Sequence, residues 1–491
     1  MLMTDTRQEN SYRTILGRIS AFGGVQVFTI LVNILRGKFV AMFLGPEGMG
    51  ISSLLVSATS SVQQFAGLGV NTAAMKEIAS SKDNPEALRK IMTAVTWLIW
   101  ATAILGCAVC AALAPLLSRW TFGNSDYTAS FAILSASVAL SVGSAGYLAI
   151  LQGMGEVRRF SKATLVGSLA GLLTGVPLYW AFGNAGIVPA ILILSATAFL
   201  FYYISYRRAC RFKTGNLKLQ TYAPLLRRII SFGLVLMSGT LASTLTGYLI
   251  NAIVRYLGSV EDIGLYQAAN SITNQYVGVV FTALAMDYFP RLSALVRDRV
   301  QMNAMVNRQA EIVILIMTPL ILLLFLTAPL VIRILLTESF LPAIPLLKWL
   351  ALGVLLQGVT FPLAYIYLAK GDKKVYFWLE IVFANVLWLA ASAAMFYWMS
   401  LVGLGMSLVL RTLIEISVWI AVCRRRYGFR YQAGVARSLC CCIAVALAGF
   451  MLSFVDAYWS LVVLGVLTLA AAIFACLRIR ARIRAEKADQ E

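Results

Sequence analysis

Stretches of about 20 apolar residues, each long enough to cross a bilayer as a helix, recur along the whole of this 491-residue chain. Fourteen are read, at 19–43, 51–75, 91–114, 128–152, 162–182, 187–206, 229–256, 264–289, 310–333, 346–369, 376–399, 402–423, 438–456 and 459–477. Inside lipid every backbone N–H and C=O needs a partner within the protein, and an isolated segment supplies them all only as a helix. The expected fold is therefore an all-α polytopic membrane protein with about 14 transmembrane helices. A hydrophobic content of 60% and a mean hydropathy of +0.81 agree with this. The connections are short, which leaves no room for a soluble catalytic domain. The first span lacks a small-residue cleavage motif and runs straight into the bundle, so it reads as part of the fold rather than as a removed signal.

The chain has 41 Lys and Arg against 21 Asp and Glu, a formal net charge of +20. Such an excess can signal nucleic acid, but its distribution follows the membrane. With the N-terminus placed in the cytoplasm, the great majority of the basic residues fall in inside segments. The opposite loops have Glu47, Asp126, Glu261, Asp262, Glu338 and Asp456 instead. This is the positive-inside pattern. It puts both termini in the cytoplasm, requires an even number of spans, and argues against nucleic acid as a partner, since the basic loops lack interleaved aromatics. There are eight cysteines and no histidine. Histidine-based catalysis is therefore excluded, the Cys107–Cys110 pair reads as packing rather than metal or redox chemistry, and no cofactor is expected.

The chain also repeats itself. Arg18-Ile-Ser-Ala-Phe-Gly23 and Arg228-Ile-Ile-Ser-Phe-Gly233 each open a long apolar helix. Leu44-Gly45 and Leu257-Gly258 close them, and Gly50-Ile51 and Gly264-Leu265 open their successors. The two copies imply a duplicated six-helix unit inserted twice in the same orientation, which makes a pathway through the membrane the first functional reading. The expected layout is an N-terminal lobe at 1–206, a basic cytoplasmic linker at 207–228, a C-terminal lobe at 229–423, and a final helix pair with a basic tail at 424–491. The linker's Arg207, Arg208, Arg211, Lys213 and Lys218 either meet anionic lipid headgroups or serve topology alone.

Polar residues inside spans are costly and so informative. Ser53, Ser57, Ser60, Gln64, Gly67 and Asn71 follow a 4-3-4-3-4 spacing that places them on one helix face. Gln267, Ser271, Asn274 and Gly278 repeat that spacing in the second half, with Asn270 at the border. Two readings stand: hydrogen-bonded glue between helices, or the wall of a wet cavity. The first span adds Gln26, Thr29, Asn33 and Arg36 on one face. Arg36 is eight residues from Leu44, about 12 Å from the outer end at 1.5 Å per residue. A guanidinium at that depth needs protein or water around it and offers a planar fork for phosphate oxygens. Arg255, near the outer edge, either rings the mouth of a cavity or snorkels. Arg411 and Glu415 are spaced for an ion pair, which is either structural or, with Asp287, a place for a coupling ion. Glu380 opens another span. No phosphate-binding loop is present, because Val32 stands where the glycine before Gly37-Lys38 would be.

Phe43-Leu-Gly-Pro-Glu-Gly-Met-Gly50, Asp83-Asn-Pro-Glu-Ala-Leu-Arg89, Phe122-Gly-Asn-Ser-Asp-Tyr127 and Val166-Gly-Ser-Leu169 resemble the O-antigen flippase family. Tyr266-Gln-Ala-Ala-Asn270, Asp287-Tyr-Phe-Pro-Arg-Leu292 and Gln309-Ala-Glu311 do the same in the second half. That family belongs to the multidrug/oligosaccharidyl-lipid/polysaccharide exporter superfamily, and the resemblance covers nearly the whole chain. It implies two six-helix lobes around a central cavity plus two further helices. The implied activity is movement of an undecaprenyl-pyrophosphate-linked oligosaccharide from the cytoplasmic to the periplasmic leaflet of the inner membrane. It also implies cationic residues in the cavity, a role Arg36 matches and Arg255 matches less closely. The partners so implied are the lipid-linked oligosaccharide, membrane lipids, and the polymerase and chain-length machinery. A cation-coupled drug antiporter of the same fold and a membrane-embedded glycosyltransferase or polymerase are the alternatives. The first should place an acid in the central cavity, and the second should show a large outer loop.

Overall fold

Helix start signals in the sequence are realised at several ends. Asn84 caps a helix by accepting from the backbone N–H groups of Glu86 and Ala87, at 3.2 and 3.1 Å, with Pro85 at its first position. Ser259 and Asp262 form a reciprocal capping box, and Asp298 caps Val300 and Gln301. The computed structural model describes residues 2–82, 84–210, 219–455 and 457–488. It describes their side chains except at 2–23, 219–221, 275–277, 279, 282–283, 286–287, 483 and 485–488. All regular structure among these residues is helical. The first half comprises α1 (Leu2–Gly67), α2 (Val70–Ser80), α3 (Pro85–Ala112), α4 (Ala114–Phe122), α5 (Thr128–Gly153), α6 (Val157–Phe182), α7 (Ile187–Ala209) and α8 (Leu219–Leu257). There follow α9 (Val260–Ala294), α10 (Arg299–Leu335), α11 (Ile344–Lys370), the single turn α12 (Lys373–Val375), α13 (Ala384–Tyr427), α14 (Ala433–Leu452) and α15 (Tyr458–Ala488). A π-helical stretch, Tyr376–Phe383, leads into α13.

Three long helical runs are broken where the sequence places gaps between spans. Gly45 interrupts α1 with φ 62°, followed by Pro46. A 3-10 turn, Gly183–Gly186, separates α6 from α7. Ser400 interrupts α13 with φ 50°, a left-handed conformation that costs a non-glycine residue on the order of 1 kcal/mol. Among the described residues, ten helical runs are long and apolar enough to cross a membrane. The three breaks divide these ten into thirteen segments, and the remaining expected span, 264–289, falls on α9, which is not one of the ten. Large apolar side chains on their outer faces are exposed, among them Ile104, Trp180, Leu469 and Leu477. Lipid is the solvent such faces suit.

The chain divides by contact into two compact units, Met1–Tyr256 and Leu257–Glu491. In the first, α3, α5 and α7 pack together, and α1 lies against α6. Its apolar core includes Ile78 of α2, Ile91 and Val95 of α3, Tyr147 of α5, Tyr206 of α7 and Ile229 of α8. The repeated motif docks α8 here. The Arg228 guanidinium pairs with the Glu77 carboxylate, Ile229 is fully buried, and the Phe232 ring lies 4.1 Å from the Lys76 ammonium. Gly233 meets the backbone of Gly69, where a methyl group on either would strike the other's chain. The seventh span therefore packs with the first unit. Leu68 and Gly69, at φ 48° and 64°, also end α1 and start α2. The second span, expected as one helix over 51–75, is thus two.

In the second unit α11 is central, packed by α9, α10 and α13, while α14 and α15 lie on α10. Glu311 of α10, 3% exposed, accepts from the Ser438 hydroxyl at 3.0 Å, Arg478 Nε at 3.1 Å and Arg482 Nε at 3.0 Å. Three helices are tied at one buried carboxylate. Asn307 adds a second tie, donating to the Arg430 carbonyl at 3.0 Å and accepting from the Gln432 N–H at 2.8 Å.

Candidate functional site

The candidate residues of the first unit lie mostly on α1. Gln26 and Asn33 are exposed, and Thr29 spends its hydroxyl on the Val25 carbonyl at 2.8 Å. They face away from the unit's core, which takes Val32, Val40, Leu54, Leu55 and Ala58 instead. Arg36 is half-buried. Its side chain lines a crevice with Gly171, Gly175 and Tyr179 of α6 and Ala190 and Leu194 of α7, and the crevice has no room for a water molecule. Among the described residues no hydrogen bond or ion pair engages the Arg36 guanidinium. Gly171 and Gly175 of α6 lie instead against Leu194, Thr197 and Ala190 of α7. That packing offers the five N–H donors of Arg36 nothing.

Beyond the break at Gly45, Ser57 donates to the Leu54 carbonyl at 3.2 Å, and the Ser53 hydroxyl is buried without a partner. Ser60 and Gln64 are half-buried. Asn71 falls after the turn at Leu68 and Gly69 and belongs to α2. The stripe is therefore shared by two helices, and helix periodicity does not align Asn71 with the rest. Arg255, in the last turn of α8, reaches the end of α4. Its Nη2 lies 3.4 Å from the Phe122 carbonyl, while its Nε is buried without a partner. Phe122 stacks on Tyr127 at 3.8 Å beside it.

In the second unit, α9 holds Gln267, Asn270 and Ser271 half-buried and Asn274 exposed. Asn274 Nδ2 donates to Asn270 Oδ1 at 3.1 Å. Two of the amides thus serve each other one helical turn apart. Arg411 and Glu415 form the ion pair their spacing predicts, with Nε to Oε1 at 2.6 Å. The Arg411 guanidinium also lies 5.2 Å from the centre of the Trp388 ring. Glu380, in the π-helical stretch, accepts from the Tyr367 hydroxyl at 3.3 Å and is within electrostatic reach of both Arg411 and Glu415. Among the described residues Glu415 alone is ion-paired with Arg411, and Glu380 is a second negative charge nearby. Asp287 lies outside the residues whose side chains are described. Cys107 contacts Ser135, and Cys110 the Phe131 carbonyl, as packing groups.

Residue-by-residue reading missed the Glu311 tie. Its signal was available: a lone acid deep in α10, and Arg478 and Arg482 four apart on the last helix.

The fold is shared with solved membrane transporters. A structure of "Lipid II flippase MurJ, inward closed conformation" superposes with a TM-score of 0.73 at 13% identity, covering 94% of this chain and 99% of that one. An inward-facing multidrug resistance MATE family transporter of the MOP superfamily superposes at 0.68 with 16% identity, covering 83% and 96%. The fold is therefore that of a multi-pass α-helical membrane protein. Residues 39–345 match the polysaccharide biosynthesis protein family, and the chain belongs to it. The Lipid III flippases of Escherichia coli strain K12 and Shigella flexneri are each 22% identical over 361 residues, 71% of this chain and 84% of theirs.

Proposed function

We propose that this chain is a flippase that moves a polyprenyl-pyrophosphate-linked oligosaccharide across the bacterial inner membrane, from the cytoplasmic to the periplasmic leaflet, by alternating access. The observation that carries the reading is Arg36. A guanidinium at that depth in a span, with no protein partner among the described residues, is costly unless an anion or water meets it. A pyrophosphate offers oxygens that its planar fork can bind in pairs. Gln26 and Asn33 extend from the same helix, and Ser57, Ser60, Gln64 and Asn71 lie further along. Their hydroxyls and amides suit sugar groups, as do Gln267, Asn270, Ser271 and Asn274 on α9. Arg255 would add a second cation toward the periplasmic end. Relatives described as Lipid III flippases support the same substrate class. An undecaprenyl carrier with an O-antigen or related repeat is the proposed cargo, and a periplasmic polymerase with its chain-length machinery the proposed consumer. Both termini are assigned to the cytoplasm by the positive-inside pattern.

Cells lacking the protein should accumulate lipid-linked repeat units and lose the surface polysaccharide, and a plasmid copy should restore both. Unchanged surface polysaccharide with normal intermediates would refute the reading. One observation favours coupling to a cation gradient: Glu380 adds a second negative charge near the Arg411–Glu415 ion pair, so a proton or sodium ion there would balance the cluster. If the chain were instead a cation-coupled drug antiporter, drug resistance rather than polysaccharide would follow its deletion.

A further inference from the structure

The second unit contains a cavity of about 560 Å³ that the flippase reading does not use. That volume lies within the roughly 300–1,000 Å³ typical of small-ligand sites. Its walls come from α9 and α10 on either side of the turn that joins them. Arg291 and Gln301 stand near the turn, Arg308 and Gln309 follow on α10, and Leu284 and Ile312 lie deeper in the apolar runs. Seven residues separate Arg291 from Leu284 and eleven separate Gln301 from Ile312, so the cavity runs roughly 10–16 Å along the helices at 1.5 Å per residue. Those four polar residues alternate along its length with Ala294, Leu295, Ala304 and Met305, and Leu284 and Ile312 close its deeper end. Gln309 contributes a buried Nε2 that has no hydrogen-bond partner among the described residues, a group whose desolvation goes uncompensated until a ligand acceptor arrives. Both guanidinium groups also engage the protein, but each has five N–H donors and can serve two acceptors at once.

We propose that this cavity binds a lipid by its phosphate. Arg291 and Arg308 would hold the phosphate oxygens, Gln309 Nε2 would donate to a phosphate or ester oxygen, and Leu284 and Ile312 would receive the start of an acyl or prenyl chain. Basic pockets between spans on the cytoplasmic side are where anionic headgroups bind. The turn from α9 to α10, with Arg291, Arg297, Arg299 and Arg308, is on the side that the charge pattern assigns to the cytoplasm. Two membrane lipids share this chemistry, an anionic glycerophospholipid and a polyprenyl pyrophosphate, and either fulfils the proposal.

The test uses the full-length protein in detergent, titrated with phosphatidylglycerol and with phosphatidylcholine, with bound lipid counted by native mass spectrometry. The variant R291Q/R308Q should lose phosphatidylglycerol affinity by roughly tenfold or more, as expected for charge-assisted hydrogen bonds. Arg424→Gln with Arg425→Gln removes the same charge from the exposed end of α13 and should leave affinity unchanged. Ala304→Phe keeps both arginines but fills the cavity, and should also lower affinity. A melting curve for each variant confirms that it is folded. Competition with undecaprenyl pyrophosphate identifies the source: displacement at lower concentration assigns the site to the carrier lipid, and failure to displace assigns it to the glycerophospholipid. Equal losses in the two double variants, or unchanged affinity in both R291Q/R308Q and Ala304→Phe, would overturn the proposal.

Discussion

At the scale of single residues, Arg36 and Glu311 show two fates for a charge inside a span. Glu311 is satisfied by Ser438, Arg478 and Arg482, whereas half-buried Arg36 borders a tight crevice without a protein acceptor among the described residues. The first arrangement is a structural tie. Glu311→Ala should therefore lower the melting temperature in detergent by an amount equivalent to about 2 kcal/mol, since it strands two half-exposed guanidinium groups. The second is proposed as the phosphate contact. Arg36→Ala should cut export roughly tenfold to a hundredfold while expression and size-exclusion profile stay normal, as expected for loss of a charged hydrogen bond. Arg36→Lys should fall between, because it keeps the charge but not the fork. Arg36 was legible in the sequence because a cation at that depth is rare. Glu311 was not weighed because its partners are more than 120 residues away, and no local spacing connects them.

At the scale of elements, the gaps between spans were legible and the packing was not. The expected gaps near 45, 183–186 and 400 are real because glycine, a 3-10 turn and a left-handed serine change the chain's direction there. The break at Leu68 and Gly69 was invisible to periodicity, since polar residues continue in step across it. Its cause is tertiary: Gly69 takes positive φ where the backbone of Gly233 presses against it. Gly69→Ala should therefore reduce folded yield more than an ordinary surface change, by the 1–3 kcal/mol typical of overpacking, readable as a lower melting temperature. The turn between α11 and α12 supplies a pH-dependent contact. Burial alone would raise the Asp372 carboxyl, but the Val375 N–H, the Arg426 guanidinium and the Tyr427 hydroxyl hold it below the ordinary carboxylate range. A lowered folded-state value means that this stabilisation is complete above the unfolded-state value of roughly 3.9 and is lost as pH falls through the folded one. Asp372→Asn should lower the melting temperature at neutral pH and flatten its decline in acid below about pH 4.

At the scale of the whole molecule, duplication explains the frame and not the chemistry. Arg228, Ile229, Phe232 and Gly233 of the second copy dock α8 onto α2, so a motif first seen as a mark of ancestry is also a packing device. The polar stripes recur in both halves, but Arg36 has no basic counterpart at the aligned position in α8, and the acidic pair Glu380 and Glu415 belongs to the second unit alone. The proposed anion contact in one unit and the proposed cation-binding cluster in the other are what coupled export of a pyrophosphate-linked cargo would need. The central claim is tested most directly in proteoliposomes holding the purified protein and a fluorescent polyprenyl-pyrophosphate oligosaccharide, with the fraction shielded from an external quencher followed over time. The account predicts that the shielded fraction equilibrates much faster with the protein than without it, and that Arg36→Ala slows the equilibration. Identical time courses for protein-containing and empty liposomes, with an imposed proton or sodium gradient and without one, would contradict it.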